Sequence, residues 1–162
     1  MVLNTHKQTL INLTGLLQKA VGCPVIKSNQ HTPVPAYPYV SFTVVNPLVA
    51  TGGTWGECDD GMERKEFKQV WSFTVQSDDD TVATEKAMRL YEYFDRKNHE
   101  LEEIGVMVVR LSNMSNRDNF ISVQYEYRYG FDVIFAFMRK NTDVISDVEL
   151  VPVEIEYKEM RE

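Results

Sequence analysis

One stretch, Val123 to Met138, limits what this chain can fold into more than any other. Its odd positions, Val123, Tyr125, Tyr127, Tyr129, Phe131, Val133, Phe135 and Phe137, are all apolar or aromatic, and Gln124, Glu126, Arg128 and Asp132 alternate with them. A strand sends successive side chains to opposite faces, so this alternation predicts a strand with one apolar face. Past Asp132 the second face turns apolar as well, with Ile134, Ala136 and Met138. That half asks for cover on both sides, from the chain's own helix or from another subunit. At ~3.3 Å per residue the stretch would span on the order of 50 Å, far beyond a usual strand, so it is expected to bend near Gly130 or to project past the core.

The rest of the chain supplies partners for this strand. Leu10, Ile11, Leu13, Leu16, Leu17, Ala20 and Val21 recur largely at helical spacing, with Asn4 or Thr5 as cap and Gly22 as stop. Val25 and Ile26 read as a short extended piece, and Pro33, Pro35 and Pro38 hold the next segment out of helices and central strands. Val40, Phe42 and Val44 alternate with Ser41 and Thr43 over Tyr39 to Val45, and Phe67, Trp71, Phe73 and Val75 do so over Arg64 to Gln76. Both predict strands. Between them Asn46 to Glu63 holds Gly52, Gly53, Gly56 and Gly61, which reads as a long loop or loose hairpin tip carrying Trp55. Asp78, Asp79 and Asp80 precede a helix through Phe94, closed by Asp95 to Leu101; a third strand follows over Ile104 to Leu111, then a polar connection over Asn113 to Phe120.

The order α-β-β-α-β-β predicts an α+β fold, a four-stranded, mainly antiparallel sheet with two helices packed on one face. Residues 1–138 form a single domain in this reading, with a long β-hairpin loop. Residues 139–162 form an extended C-terminal arm or tail, where only Val151 to Tyr157 alternates, across Pro152. Such an arm is expected to pair with a sheet edge or a neighbouring subunit, or to be partly disordered alone.

A chain of 162 residues, 43% hydrophobic and 25% charged, is long enough to bury a core without disulfides or metals. Its formal charge of -7 argues against tight nucleic-acid binding, which needs clustered Lys and Arg. Cys23 and Cys58 have no CxxC partner, and neither a signal peptide nor a membrane-spanning run is visible, so two reduced thiols in a cytoplasmic protein are expected. His6, His31 and His99 show no metal-ligand spacing. The glycines around Trp55 lack the Lys-Ser/Thr of a phosphate loop, and Asp78 to Asp80 lack the flanking oxygens of a cation loop, so a flexible loop and a helix cap are the readings. Tyr125, Tyr127 and Tyr129 have no basic neighbours to make a base-stacking platform and read as a core face. Trp55, large and apolar in a Gly-rich loop, packs on a partner or on its own subunit. No catalytic residue, cofactor site or metal site emerges.

Four segments carry a family resemblance: Val25 to Tyr39 (VIKSNQHTPVPAYPY), Gln69 to Asp79 (QVWSFTVQSDD), Asn113 to Asn119 (NMSNRDN) and Tyr125 to Val133 (YEYRYGFDV). In this order they resemble the phage neck or tail terminator proteins of tailed bacteriophages. The resemblance runs from the first helix to about Met138 and leaves the tail after Arg139 uncovered. It implies a non-enzymatic structural protein of the virion, assembled in the host cytoplasm, that forms a homo-oligomeric, usually hexameric, ring. Such rings cap the tail tube protein, stop its polymerisation and dock the head connector or stopper protein, while genomic DNA passes through without sequence-specific binding. The candidate contact residues are Trp55 in the loop, Arg64 at the start of the strand after it, and Ile134, Ala136 and Met138 in the far half of the long strand. Ile134→Glu is then expected to impair assembly more than folding. The alternatives are a small ligand-binding α+β module with an apolar cavity, or a small enzyme with a pocket of perturbed carboxylates.

Overall fold

A computed structural model describes residues 6–50, 52–53, 55–57, 61, 63–96, 98–121 and 124–140. The expected cap at Asn4 or Thr5, Val123, Cys58, and the arm from residue 141 onward lie outside those residues. In chain order the elements are α1 (His6–Val21), β1 (Val25–Lys27), β2 (Tyr39–Val49), β3 (Gly56–Glu57), β4 (Glu63–Ser77), α2 (Asp80–Arg96), α3 (Asn98–Glu103), β5 (Val106–Leu111), β6 (Ser115–Asn116), β7 (Asn119–Ile121) and β8 (Gln124–Lys140).

The antiparallel ladder between β4 and β8 is the frame, running from Arg64 opposite Lys140 to Ser77 opposite Tyr127 without a register shift. Directly opposed residues share a face, so two alternating sequences placed in this register merge into one apolar surface. Trp71 stands opposite Val133, Phe73 opposite Phe131 and Gln69 opposite Phe135. β2 extends the row with Phe42 opposite Phe73, and β5 extends it with Val106 opposite Phe137. Leu13, Leu17 and Val21 of α1 and Ala87, Leu90 and Phe94 of α2 close the same core. The rings of Phe73 and Phe94 lie 5.1 Å apart, and Trp71 meets Phe135 edge-on at 5.4 Å. Trp71, Phe73, Phe131 and Phe135 are essentially inaccessible, each contributing roughly 1.5–3 kcal/mol by burial.

The α+β class and the helix-covered face agree with the sequence, but the sheet is larger and mixed. Its main path is β1-β2-β4-β8-β5, with β1 parallel to β2 and the short β3, β6 and β7 attached to β4 or β8. Val25–Lys27 joins because the proline-rich segment brings Tyr39 back beside it; Val40 N donates to Pro24 O and Ser28 N to Phe42 O. The polar connection also pairs, since Ser115–Asn116 and Asn119–Ile121 both reach β8. Asn46 to Glu63 is not one loop. β2 continues to Val49 through two register shifts around Pro47, tolerated at an edge, and Gly56–Glu57 pairs with β4.

The second helix ends at Arg96, and the segment expected to close it forms the separate α3, after which Gly105 turns at φ 82° into β5. The acidic run caps α2 as expected: Val82 N donates to Asp79 Oδ1 at 3.0 Å. Gly130 sits inside the continuous ladder rather than at a break. The long strands instead outrun the core, for Glu63 to Val70 of β4 are all partly or fully exposed.

Candidate functional site

Among the described residues the helices contribute their buried side chains to one core, which leaves the reverse face of the β4–β8 ladder without a helix. Even-numbered residues of both strands form that face, and it divides into two halves.

The near half is polar and closed by the chain itself. Ser72 and Thr74 of β4 stand opposite Asp132 and Gly130 of β8, and Arg117 lies across them. Its Nη1 donates to Ser72 Oγ at 2.7 Å and Thr74 Oγ1 at 3.2 Å, and its Nη2 donates to Asp132 Oδ1 at 3.1 Å. Arg117 can lie this close only because residue 130 is glycine. A Cβ there would stand 2.4 Å from Phe73 O and 2.9 Å from Arg117 Nη1.

Beside this network the buried Glu126 accepts hydrogen bonds from the Tyr37 hydroxyl and from Arg128 Nε. The bond to Glu126 pushes the Tyr37 hydroxyl up to about 12, with desolvation and the carboxylate's charge adding to it. Gln76 Nε2 donates to Ser41 Oγ at 3.0 Å. Asp118 feels desolvation, which raises its pKa, but it accepts from Arg128 N at 2.7 Å, Asn116 Nδ2 at 2.9 Å and Tyr125 Oη at 3.0 Å, and the net effect is a lowered carboxyl. These contacts stitch β8 to its neighbours.

The far half is open, apolar along β8 and flanked by charged side chains of β4 and β5. Val70 stands opposite Ile134, Lys68 opposite Ala136, and Glu66 opposite Met138. On the other side of β8, Met107 stands opposite Ala136 and Arg110 opposite Ile134, across a register shift at Val109. Met107 is 51% exposed, Val109 46% and Met138 45%, while Ala136 is buried by its neighbours.

Of the residues singled out from sequence, Ile134, Ala136 and Met138 therefore fall in one row on the open half, and Arg64 lies at the end of the same face, opposite Lys140. Trp55 does not join them; it packs edge-on against Phe67 at 5.9 Å, so its own subunit supplies a contact. Met107 and Val109 were missed because Val106 to Val109 is an unbroken apolar run, with no alternation to show which side chains stay exposed. Arg117 was missed because the connection that carries it has no periodicity at all.

The tyrosine row is only partly a core face. Tyr125 is 47% exposed and meets Tyr127 in a tilted ring contact at 4.7 Å, and Tyr129 Oη donates to Asp80 Oδ1 at 2.6 Å. His6, His31 and His99 are exposed, with His99 3.5 Å from Glu103. Burial pushes the Cys23 thiol up, against the nearby Lys86 charge. Among the described residues no group of His, Cys, Asp and Glu is placed to hold a metal, and no helix is long and apolar enough to cross a membrane. The arrangement offers a contact surface.

A family model described as phage neck terminator protein matches residues 10–159. The match extends through the segment after Arg139, which the four sequence resemblances leave uncovered. No curated protein matches the chain.

Proposed function

This chain belongs to the phage neck terminator family, and we propose that it terminates the tail tube and joins it to the head connector as a homo-oligomeric ring. Membership makes it a structural protein of the phage neck, resident in the virion and in contact with other head or tail proteins. The finer reading is a hexameric ring that stacks on the tail tube protein, receives the head connector or stopper protein, and lets genomic DNA pass without sequence-specific contact. Assembly takes place in the host cytoplasm.

The match over residues 10–159 carries this reading. The two-part sheet face supports it, because a ring needs heterologous contacts, in which two different patches of one subunit meet. The near half is closed by Arg117, whereas the far half exposes Met107 and Met138 beside the half-buried Ile134. A net charge of -7 suits a surface along which DNA slides rather than sticks. Electron microscopy of phage made without this protein tests the proposal. Overlong tails, or separate heads and tails, are the expected result; normal virions would sink it.

A further inference from the structure

We infer that the acidic arm of one copy, residues 144–157, seats on the apolar half of the reverse sheet face of the next copy. The inference rests on the ring reading above and assigns its contact. On the receiving side are the exposed Met107, Val109 and Met138 and the half-buried Ile134, bordered by Lys68 and Arg110. Lys68 Nζ is 3.8 Å from Glu66, so part of that border is already offset.

On the donating side is a segment of complementary character. Residues 141–162 hold seven carboxylates and two basic side chains, so they carry five of the seven net negative charges of the whole chain. Within them Val151, Val153, Ile155 and Tyr157 alternate with Pro152, Glu154 and Glu156. Laid on the patch, the apolar row meets Met107, Ile134 and Met138, the intervening carboxylates face water, and Asp147 and Glu149 reach the basic border.

Reach lets the arm span to a neighbour. At ~3.3 Å per residue the segment after Lys140 extends to about 70 Å, roughly twice the diameter of a domain this size. β8 is described to Lys140, opposite Arg64, at the end of the ladder that outruns the core, so an arm that kept the direction of β8 would lead away from its own patch. Arm and patch are different surfaces of one chain, and their pairing repeats head to tail, as a closed ring requires.

Cross-linking full-length chains tests the inference. Met107→Cys and Ile155→Cys are made separately in a Cys58→Ser background, Cys23 being buried. Mixed and oxidised, they should form a covalent dimer at about ten times the yield of either chain alone. Adding Ile134→Glu to the Met107→Cys chain should reduce that yield about tenfold. Absence of the mixed bridge overturns the inference. So does a chain carrying both cysteines that closes only on itself, which would place the arm on its own subunit. Light scattering on the unsubstituted protein separates the two failures. A ring without the mixed bridge overturns the arm's seat alone; a chain that never assembles, together with normal tails in its absence, overturns the ring as well.

Discussion

The two halves of the reverse face of the β4–β8 ladder are made by the same two strands in one unbroken register, yet they are finished differently. In the near half, glycine at position 130 lets Arg117 lie against the backbone and bond to Ser72, Thr74 and Asp132. In the far half, Val70, Ile134, Ala136 and Met138 form a row that no described element covers. The first is a surface the subunit completes with its own polar groups, which cost little when hydrogen-bonded. The second is a surface whose apolar atoms gain only when something else excludes water from them. Substitutions in the near half should therefore appear as lost folding stability, and substitutions in the far half as lost association.

Gly130→Ala should have the largest effect. The added methyl would stand 2.4 Å from a carbonyl oxygen that is fixed in the ladder, and it would also push on Arg117. A loss of about 2–4 kcal/mol is expected in urea unfolding. A cost below about 1 kcal/mol would mean that the strands separate easily at this point, and the contrast between the halves would collapse. Arg117→Met keeps the bulk and removes the donors. With Asp132 and Arg117 both partly exposed, about 1–2 kcal/mol is expected from the same measurement, with no change in oligomer size.

The near half also predicts a dependence on alkaline pH. The Tyr37 hydroxyl donates to Glu126, and its pKa is raised from the ordinary 10.0 to about 12. A group held protonated in the folded state stabilises fully below its unfolded pKa and loses that contribution as pH rises through the folded one. The advantage of the native chain over Tyr37→Phe should thus be constant from neutral pH to 10.0 and fade towards 12. Tyr37 is 39% exposed, so solvent keeps the difference below about 1 kcal/mol. Urea midpoints of both chains across that range check the sign, and an advantage that grew with pH would mean the hydroxyl is not the donor.

What the sequence disclosed and concealed divides along related lines. Both long strands are legible because alternation over many residues has one physical meaning, and the start of α2 is legible because carboxylates before an apolar periodic run cap a helix. β3, β6 and β7 are only two or three residues long, too short for a period, and they exist through pairing with other strands; β1 was legible as an extended piece at Val25 and Ile26, but not its parallel pairing with β2. Arg117 belongs to the same class, since its role depends on a glycine elsewhere in the chain. Gly130 in particular carries a local signal for a bend, but the close approach of Arg117 is the constraint that the glycine meets. The apolar second face of β8 beyond Asp132 could be read directly; which neighbours widen it could not, because Met107 reaches it through the β5–β8 register.

Met138→Glu should be the mildest change to the fold and is the sharpest probe of the contrast. Met138 is 45% exposed in the single subunit, so a carboxylate there loses little burial and stays hydrated. Its opposite residue is Glu66, which adds a modest repulsion across the strands, itself eased by Lys68. The net change in urea unfolding should stay within about 0.5 kcal/mol. Assembly should respond differently, because the same carboxylate would be desolvated in any contact that covers the patch, at a cost of several kcal/mol unless a cation meets it. Light scattering should then find smaller species at concentrations where the unsubstituted protein is assembled. Ile134→Glu, half-buried to begin with, should add a larger stability loss to the same defect. If Met138→Glu instead unfolded the chain while leaving the surviving folded fraction fully assembled, the far half would belong to the subunit's own core, and the two halves of the ladder would be finished alike.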